Sequence, residues 1–371
     1  MKNRKAVLLV MASLLFLGGC WDQDQLKEAR LVYAAGLDLT EDGKQLQTVI
    51  IRQVKGSGFQ AEPQNEIYSG IGNTTREARD NLDRKIAGEY RSYKNRVILL
   101  GEELAKKDIY PHLDVIYRDP KSALNAHIVV AEGRAADILA MRRVGGMLIA
   151  EYLDRTLNSE AEKSLVPREN IQSICAPMLD PGKDFTIPYV RKTEEGEVEV
   201  AGQALFSGHR MNGVLWGQDS ILLQIMRGEL GDIVRMTLPV HDNKRTHPEN
   251  YITIDVEKVD RKMEVLPGPG GDVRVKMQLK MFVNAIEYPD DHLDDEETKG
   301  LSGHLSKLMT QKARGVLNKL QEANCDVFGI GRELIAYHPE VWAKKRWDRD
   351  YQKVKFEPKV EVKIVSHGVI N

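Results

Sequence analysis

Cys20 is the residue whose setting points most directly to a chemical modification. It ends the motif Leu17-Gly18-Gly19-Cys20, which follows a basic N-terminus and an apolar stretch over residues 6–17. This is the arrangement of a bacterial lipobox, in which the cysteine thiol receives a diacylglycerol group. A basic start, an apolar stretch and small residues at the break also define a secretory signal peptide. We therefore predict a signal peptide over residues 1–19, cleaved after Gly19, and a mature chain that begins at a lipidated Cys20.

Two other interpretations fit the N-terminal segment less well. A transmembrane helix needs roughly 20 apolar residues, whereas this stretch has about 12. An ordinary signal peptide ends in a small-x-small pattern and gives no reason for a cysteine directly after two glycines. Two acyl chains hold a protein on a bilayer lastingly, whereas one chain binds reversibly. We therefore expect a soluble body on the membrane, with residues 20–30 as its tether.

Two further groups of residues could bind a cofactor or a metal, but their spacing matches no known site. Gly70-Ile71-Gly72 lacks the third glycine of a dinucleotide fingerprint, and we interpret both glycines as turn residues. The acidic run over residues 290–297 lacks the glycine and the spacing of an EF-hand, so we interpret it as a solvated loop before a helix. We predict no cofactor and no metal site.

The same holds for histidine clusters and for nucleophiles. His241, Asp242 and His247 match no zincin spacing. The chain has no Gly-x-Ser-x-Gly elbow, and Ser207 and His209 are too close in sequence to form a triad by themselves. We therefore predict no catalytic residue, and a protein that is not an enzyme.

Besides Cys20, the chain has two cysteines, Cys175 and Cys325, which match no metal-ligand spacing. They could form one disulfide outside the cell or remain as two buried free thiols, and we favour the thiols.

Composition and charge describe a globular chain of more than one domain. The 371 residues are 42% hydrophobic and 29% charged, with a mean hydropathy of -0.40. The formal charge is -2, and it becomes -5 when the three basic residues of the signal are removed. This balance argues against nucleic acid as a partner. The length predicts two or three domains.

Hydrophobic periodicity predicts an α+β fold with mixed or antiparallel sheets and packed helices. Residues 31–39 and 46–54 form a hairpin over a tight turn, and Thr74 and Glu77 resemble a capping box for a helix. Residues 273–286 alternate as a half-buried antiparallel strand, and residues 301–323 have apolar side chains at helical spacing. Prolines followed by a charged stretch near residue 195 divide the body into residues 31–195, which could hold two subdomains, and residues 196–371.

Trp342 and Trp347 flank a run of basic residues, Lys344-Lys345-Arg346. Such a mixture could contact lipid headgroups, but we favour burial of both tryptophans against the long helix over residues 301–323.

Four short motifs carry a family resemblance: Gly19-Cys20-Trp21-Asp22, Gly202-Gln203-Ala204-Leu205-Phe206 with Gly213 shortly after, Asp326-Val327-Phe328-Gly329-Ile330-Gly331, and His338-Pro339-Glu340-Val341-Trp342. Together they resemble the Ger(x)C spore germination lipoproteins, the C subunits of nutrient germinant receptors in endospore-forming bacteria. The resemblance covers nearly the whole mature chain.

The resemblance implies a protein on the outer face of the inner spore membrane, assembled with an A subunit and a polytopic B subunit. It also implies a multidomain α+β fold without catalytic activity. Of the family's functional residues only the lipidated cysteine can be transferred, to Cys20. The Phe-Gly-x-Gly residues have no chemical role to transfer, and their glycines predict a helix interruption where chain segments approach closely.

We therefore expect a lipid-anchored, non-enzymatic subunit of a nutrient germinant receptor that is needed for the germination response. The alternative is a solute-binding lipoprotein that captures a small nutrient. Such a protein would have two α/β lobes with repeated alternation of strands and helices, whereas this sequence is rich in hairpins.

Overall fold

The computed structural model describes residues 29–55, 62–241, 247–268, 270–289 and 295–366. Its strands are β1 (Ala29–Leu39), β2 (Gln45–Lys55), β3 (Glu62–Gly72), β4 (Glu89–Arg91), β5 (Val97–Gly101), β6 (His127–Ala131), β7 (Arg143–Val144), β8 (Met147–Leu148), β9 (Thr186–Lys192), β10 (Val198–Ser207), β11 (Arg210–Trp216), β12 (Arg235–Pro239), β13 (Tyr251–Pro267), β14 (Val273–Glu287) and β15 (Lys355–Ser366). Its α-helices are α1 (Thr75–Asp83), α2 (Glu102–Ala105), α3 (Tyr110–Arg118), α4 (Ala135–Ala140), α5 (Ile149–Glu162), α6 (Ile171–Leu179), α7 (Gly217–Arg227), α8 (Asp295–Glu322), α9 (Ile330–Tyr337), α10 (Pro339–Trp342) and α11 (Trp347–Asp350).

A nine-stranded mixed sheet organises the first part of the chain. Its order is β11-β10-β9-β6-β5-β1-β2-β3, and β4 pairs with β1 outside this path. The central pairs β1–β5, β5–β6 and β6–β9 are parallel, whereas the hairpins on both sides are antiparallel. The predicted hairpin of β1 and β2 is confirmed, and Gly43 makes its turn with a φ of 79°.

The strands at the centre of this sheet are apolar because both of its faces are covered. Ile98 and Leu100 pack on one side in a cluster with α3 and α6, and Val97 and Leu99 pack on the other side with α4 and α5. All five residues of β5 are buried. A continuous apolar run is the pattern expected of a strand that is buried on both faces.

A four-stranded sheet of order β12-β13-β14-β15 organises the last part of the chain. The helix α8 lies on one face, where Met309, Val316 and Leu320 are fully buried. Alternation along β14 predicted an antiparallel strand, but this is true only of its pairing with β13, because β15 pairs with β14 in parallel. Alternation of apolar and polar residues indicates that one face of a strand is buried, but it does not indicate the direction of the neighbouring strand.

One hydrophobic core joins the two sheets. Leu215 of β11 and Leu222 of α7 belong to the same buried cluster as Ile254 of β13 and Leu317 of α8. The α+β class with mixed sheets and packed helices is confirmed. The large sheet takes strands from both sides of residue 195, and the division into residues 31–195 and 196–371 remains a prediction.

Gly70 and Gly72 have a different role from the predicted one. They lie in β3 rather than in a turn, and α1 packs directly on them. A Cβ atom on Gly70 would lie 2.3 Å from the carbonyl oxygen of Ala78, and one on Gly72 would lie 2.4 Å from the nitrogen of Ala78. The glycines therefore allow a helix to approach a strand closely. Half of the predicted capping box of α1 is confirmed, because Glu77 N donates to Thr74 Oγ1 at 3.1 Å. The carboxylate of Glu77 accepts from Asn73 N at 2.7 Å rather than from Thr74 N.

Candidate functional site

Cys20, the one site residue predicted from the sequence, lies outside the described residues, whose first strand begins at Ala29. Within the described residues, polar and titratable side chains are concentrated where the loop over residues 324–331 meets the segment over residues 180–185. We call these two segments, together with Ser207, Gly208, Trp347 and Tyr351, the junction.

Asp326 organises the loop over residues 324–331. Its Oδ1 accepts a hydrogen bond from Ile330 N at 3.0 Å, and its Oδ2 accepts from Gly331 N at 2.8 Å and from Trp347 Nε1 at 3.0 Å. Ile330 and Gly331 are the first residues of α9, whose first amide groups have no partner within the helix. Asp326 therefore caps α9 and holds the indole of Trp347 against it.

Asp184 joins this loop to the first part of the chain. Its Oδ2 accepts from Asp326 N at 2.7 Å, and its Oδ1 accepts from Gly208 N at 2.6 Å. The backbone adds a bond from Asp184 N to Asp326 O at 2.9 Å and another from Arg332 N to Gly182 O at 2.9 Å. The junction is therefore a hydrogen-bonded joint between the two sheets.

The glycines of the Phe-Gly-x-Gly motif make this joint possible. Gly329 has a φ of 73°, in the left-handed region, and it directly precedes α9. A Cβ atom on Gly331 would lie 2.7 Å from both Gly182 Cα and Trp347 Nε1. The predicted helix interruption with close approach of chain segments is confirmed, because α8 ends before the motif and α9 begins inside it.

Burial dominates the electrostatics of the junction. It raises the pKa of Asp326 to about 7, although three donors favour the ionised carboxylate. Burial also raises the pKa of Asp184, and it raises the pKa of the Cys325 thiol well above its usual value. A thiol with a raised pKa, fully buried, is a poor nucleophile.

A cleft of about 330 Å³ opens beside the joint. Asp180, Asp184, Asn324 and Tyr351 are among the residues that line it. The hydroxyl of Tyr351 is buried and has no hydrogen-bond partner among the described residues. The carboxyl groups of Asp184 and Asp326 already accept hydrogen bonds from backbone amides and an indole, so in this structure they hold the junction together.

A second, smaller cavity lies between β1, β2 and the helices α1 and α3. Its volume is about 30 Å³, and Gln47, Ser92 and Asn95 each direct into this region a buried oxygen without a hydrogen-bond partner among the described residues. One water needs about 10–15 Å³ of such volume. The cavity therefore has room for a water or two, and it is too small for a nutrient molecule.

Ser207 and His209, which sequence reasoning weighed as a catalytic pair, contact different partners. Ser207 Oγ accepts from Asn324 Nδ2 at 3.1 Å, whereas His209 Nε2 lies 2.8 Å from Met178 O and Nδ1 lies 3.1 Å from Asp108. Each side chain is therefore held by its own local structure rather than by the other.

The two cysteines are free thiols, as favoured, but only Cys325 is buried as predicted, since Cys175 is half-buried. Most of the acidic run over residues 290–297 and Asp242 lie outside the described residues. In the described part of the chain, no group of three histidine, cysteine or carboxylate side chains could hold a metal ion.

The predicted burial of both tryptophans is confirmed only for Trp347, since Trp342 is half-buried, and the partners of Trp347 differ from the predicted ones. Its cluster contains Val275, Leu334 and Tyr351 and none of the buried residues of α8. The ring centroid of Trp342 lies 5.7 Å from that of Trp347. The tryptophans therefore pack on the end of the β13–β14 hairpin and on α9.

Sequence reasoning did not identify Asp184, Asp326 or Tyr351. A signal existed for Asp326, since an acidic residue shortly before a glycine-containing helix start is a capping pattern. No local pattern could identify Asp184, because its partners are more than 20 residues away in sequence.

Two family models match the chain almost end to end. Residues 22–192 match the model described as spore germination protein N-terminal domain, and residues 201–368 match the one described as spore germination B3/GerAC like, C-terminal. The spore germination protein GerQC of Bacillus cereus is 24% identical over 98% of this chain and 99% of its own length. The spore germination protein KC of Bacillus subtilis (strain 168) is 22% identical over 99% of this chain and 97% of its own length.

The fold also matches a solved structure. The crystal structure of the GerBC protein superposes with a TM-score of 0.58 at 19% identity, covering 93% of this chain and 100% of the other. Both halves of the chain are thus accounted for, and the chain belongs to the GerAC-like spore germination proteins.

Proposed function

We propose that this protein is the lipid-anchored, non-enzymatic C subunit of a nutrient germinant receptor. It acts on the outer face of the inner spore membrane, through assembly with the membrane-embedded A and B subunits. The match of both family models over residues 22–192 and 201–368 carries the proposal. The role in germination follows from family membership, and the anchor and the partners are the proposed parts.

The N-terminal sequence supports the anchor. Cys20 ends a lipobox after an apolar stretch, and no helix of the described residues is long and apolar enough to cross a membrane. Eight residues lie between Cys20 and the start of β1 at Ala29, and an extended chain reaches roughly 30 Å from the one to the other. A lipid on Cys20 would therefore keep the folded body within a short distance of the bilayer.

Tethering also supports assembly with membrane partners. A protein held at the surface meets an embedded partner at a high effective concentration, so that even a modest interface is well occupied.

The junction supports a role without catalysis. Asp326, which is buried, and Asp184, which is half-buried, accept five hydrogen bonds that fix the loop over residues 324–331, the start of α9 and the segment before β9 to one another. The thiol of the junction, Cys325, is fully buried with a raised pKa. The polar groups of the junction therefore serve to hold the folded body together.

The experiment replaces Cys20 with alanine in spores that express no other copy of the protein. We expect the Cys20→Ala protein to leave the membrane fraction and the response to nutrients to weaken. Cys175→Ala is the matched control, since it removes a half-buried thiol from the body and should leave both properties unchanged. Full membrane retention and a full nutrient response of the Cys20→Ala spores, at an unchanged protein level, would contradict the proposal.

A further inference from the structure

Part of the open face of the four-stranded sheet has a charge opposite to that of the whole chain. Between the β13–β14 turn and Phe282, the side chains of β13, β14 and β15 that point away from α8 form three neighbouring rows. The basic members are Lys258, Lys262, Arg274, Lys276, Lys280, Lys355, Lys359 and Lys363, and the acidic members are Asp260, Glu264, Glu357 and Glu361. We call this surface the basic face. It has an excess of four positive charges, whereas the full chain has a formal charge of -2.

The register of the strands places these charges in one continuous array. Lys276 of β14 lies between Glu264 of β13 and Glu357 of β15, and Gln278 lies between Lys262 and Lys359. Neighbouring strands are about 4.8 Å apart and alternate residues along a strand about 6.8 Å apart. The array is therefore roughly 10 Å wide and 30 Å long, which is the scale of several phospholipid headgroups.

The acidic residues of the basic face are largely neutralised within it. Asp260 pairs with Lys258 at 2.8 Å, and Glu264 pairs with Lys262 at 2.7 Å. Glu361 lies 3.7 Å from Lys363 and 3.9 Å from Lys280. The side chains are exposed, 68% in the case of Lys262, so the excess positive charge faces solvent.

The turn between β13 and β14 adds charges of both signs to one end of the basic face. Asp272 lies 3.7 Å from Lys355, and a Cβ atom on Gly271 would lie 3.9 Å from Lys345 Nζ, so the basic run that follows Trp342 reaches the same end of the sheet. At the opposite end, beyond Phe282, the exposed residues Glu257 and Glu287 add negative charge. The excess positive charge of the sheet therefore lies between the turn and Phe282.

We propose that the basic face docks on an anionic phospholipid surface. Charge complementarity selects this occupant, because the face has an excess of positive charge on long, exposed side chains that can reach phosphate headgroups. This inference rests on the proposed lipid anchor, because a short tether holds the folded body near a bilayer and the basic face would set the orientation of the body there. The docking itself does not need the acyl chains on Cys20.

The test measures sedimentation with vesicles of phosphatidylcholine that contain either no phosphatidylglycerol or one third of it. The protein is the full mature chain carrying Cys20→Ala, so that no acyl chain contributes. We expect binding to the anionic vesicles, weaker binding at high salt, and little binding to the neutral ones. Each basic residue near an anionic surface contributes about fivefold to the partition coefficient.

The variant K262Q/K276Q/K280Q/K359Q removes the excess charge of the basic face without placing like charges on adjacent strands. It should lower the partition coefficient by at least about 100-fold. The matched control, K94Q/K107Q/K163Q/K192Q, removes the same charge from exposed positions in the first part of the chain and should bind nearly as the parent. Thermal unfolding checks that both variants are folded.

Equal binding to neutral and anionic vesicles, or equal losses in both variants, would overturn the proposal. A loss of receptor assembly in the first variant without any vesicle binding by the parent would mean that the face meets an acidic protein, and would also overturn it. These outcomes are separate from the anchor, because Cys20 can be lipidated whether or not the basic face binds lipid.

Discussion

Replacing Asp326 by asparagine tests whether the buried carboxyl at the junction makes the stability of the fold depend on pH. Burial raises the pKa of Asp326 to about 7 in the folded protein, whereas an aspartate in the unfolded chain has a pKa of about 3.9. Between these values the folded state keeps a proton that the unfolded state has lost. The contribution of this group to stability is therefore present at low pH and is lost as the pH rises through 7. Linkage gives a loss of about 2.5 kcal/mol between pH 5 and pH 8.

Asp326→Asn removes this titration and also removes an acceptor. The amide keeps one oxygen for the three donors Ile330 N, Gly331 N and Trp347 Nε1, so the variant should be less stable by about 1–3 kcal/mol at pH 5. The unfolding free energy of the parent minus that of the variant should then fall by about 2.5 kcal/mol between pH 5 and pH 8, so that the variant becomes about as stable as the parent or more stable.

The assay is urea unfolding of both proteins at pH 5, 6.5 and 8, followed by far-ultraviolet circular dichroism. Burial lowers the pKa of His112 and of His127, but these groups contribute equally to both proteins and cancel in the comparison. Asp348→Asn is the control, because the Asp348 side chain is 64% exposed beside Trp347 and its replacement should change the unfolding free energy only slightly. A difference for Asp326→Asn that stays constant, or that widens as the pH rises, would refute the reasoning.

Two further predictions concern packing and thiol reactivity. Gly70→Ala should lower the unfolding free energy by about 1–3 kcal/mol, because the new Cβ atom would press on the backbone of α1 near Ala78. Gly315 has open space around it in α8, so Gly315→Ala should raise the unfolding free energy by about 0.5–1 kcal/mol. Thermal unfolding measures both effects, and equal effects of the two substitutions would contradict the packing argument. Iodoacetamide should label the half-buried Cys175 in the native protein and the buried Cys325 only in urea, and peptide mass spectrometry identifies the labelled residues. Rapid labelling of Cys325 in the native protein, or a disulfide between the two cysteines, would be inconsistent with the structure.

Local patterns predicted the elements that depend on neighbours in sequence. The hairpin of β1 and β2 follows from two apolar runs around a turn with a glycine at Gly43, whose positive φ few other residues adopt. The cap of α1 follows from Thr74 and Glu77, three residues apart. The family resemblance supplied the expected membrane location and receptor partners of the protein. The Phe-Gly-x-Gly motif predicted that another chain segment approaches it closely, but not which segment.

Features that depend on distant partners could not be predicted in this way. The parallel pairing of β1 with β5 joins strands separated by a hairpin and a helix, and nothing in either strand specifies the other. Gly70 was interpreted as a turn residue because glycine is common in turns. The structure instead requires glycine at this position because a helix packs closely on the strand. Asp326 is one carboxylate among many in the sequence, and only the folded chain places Gly331 N and Trp347 Nε1 around it.

The most direct test of the proposed function is the mass of the N-terminal peptide of the protein extracted from spore membranes. The account predicts a chain that begins at Cys20 with a diacylglycerol group on its sulfur. An unmodified Cys20, or a chain that still carries residues 1–19, would contradict it.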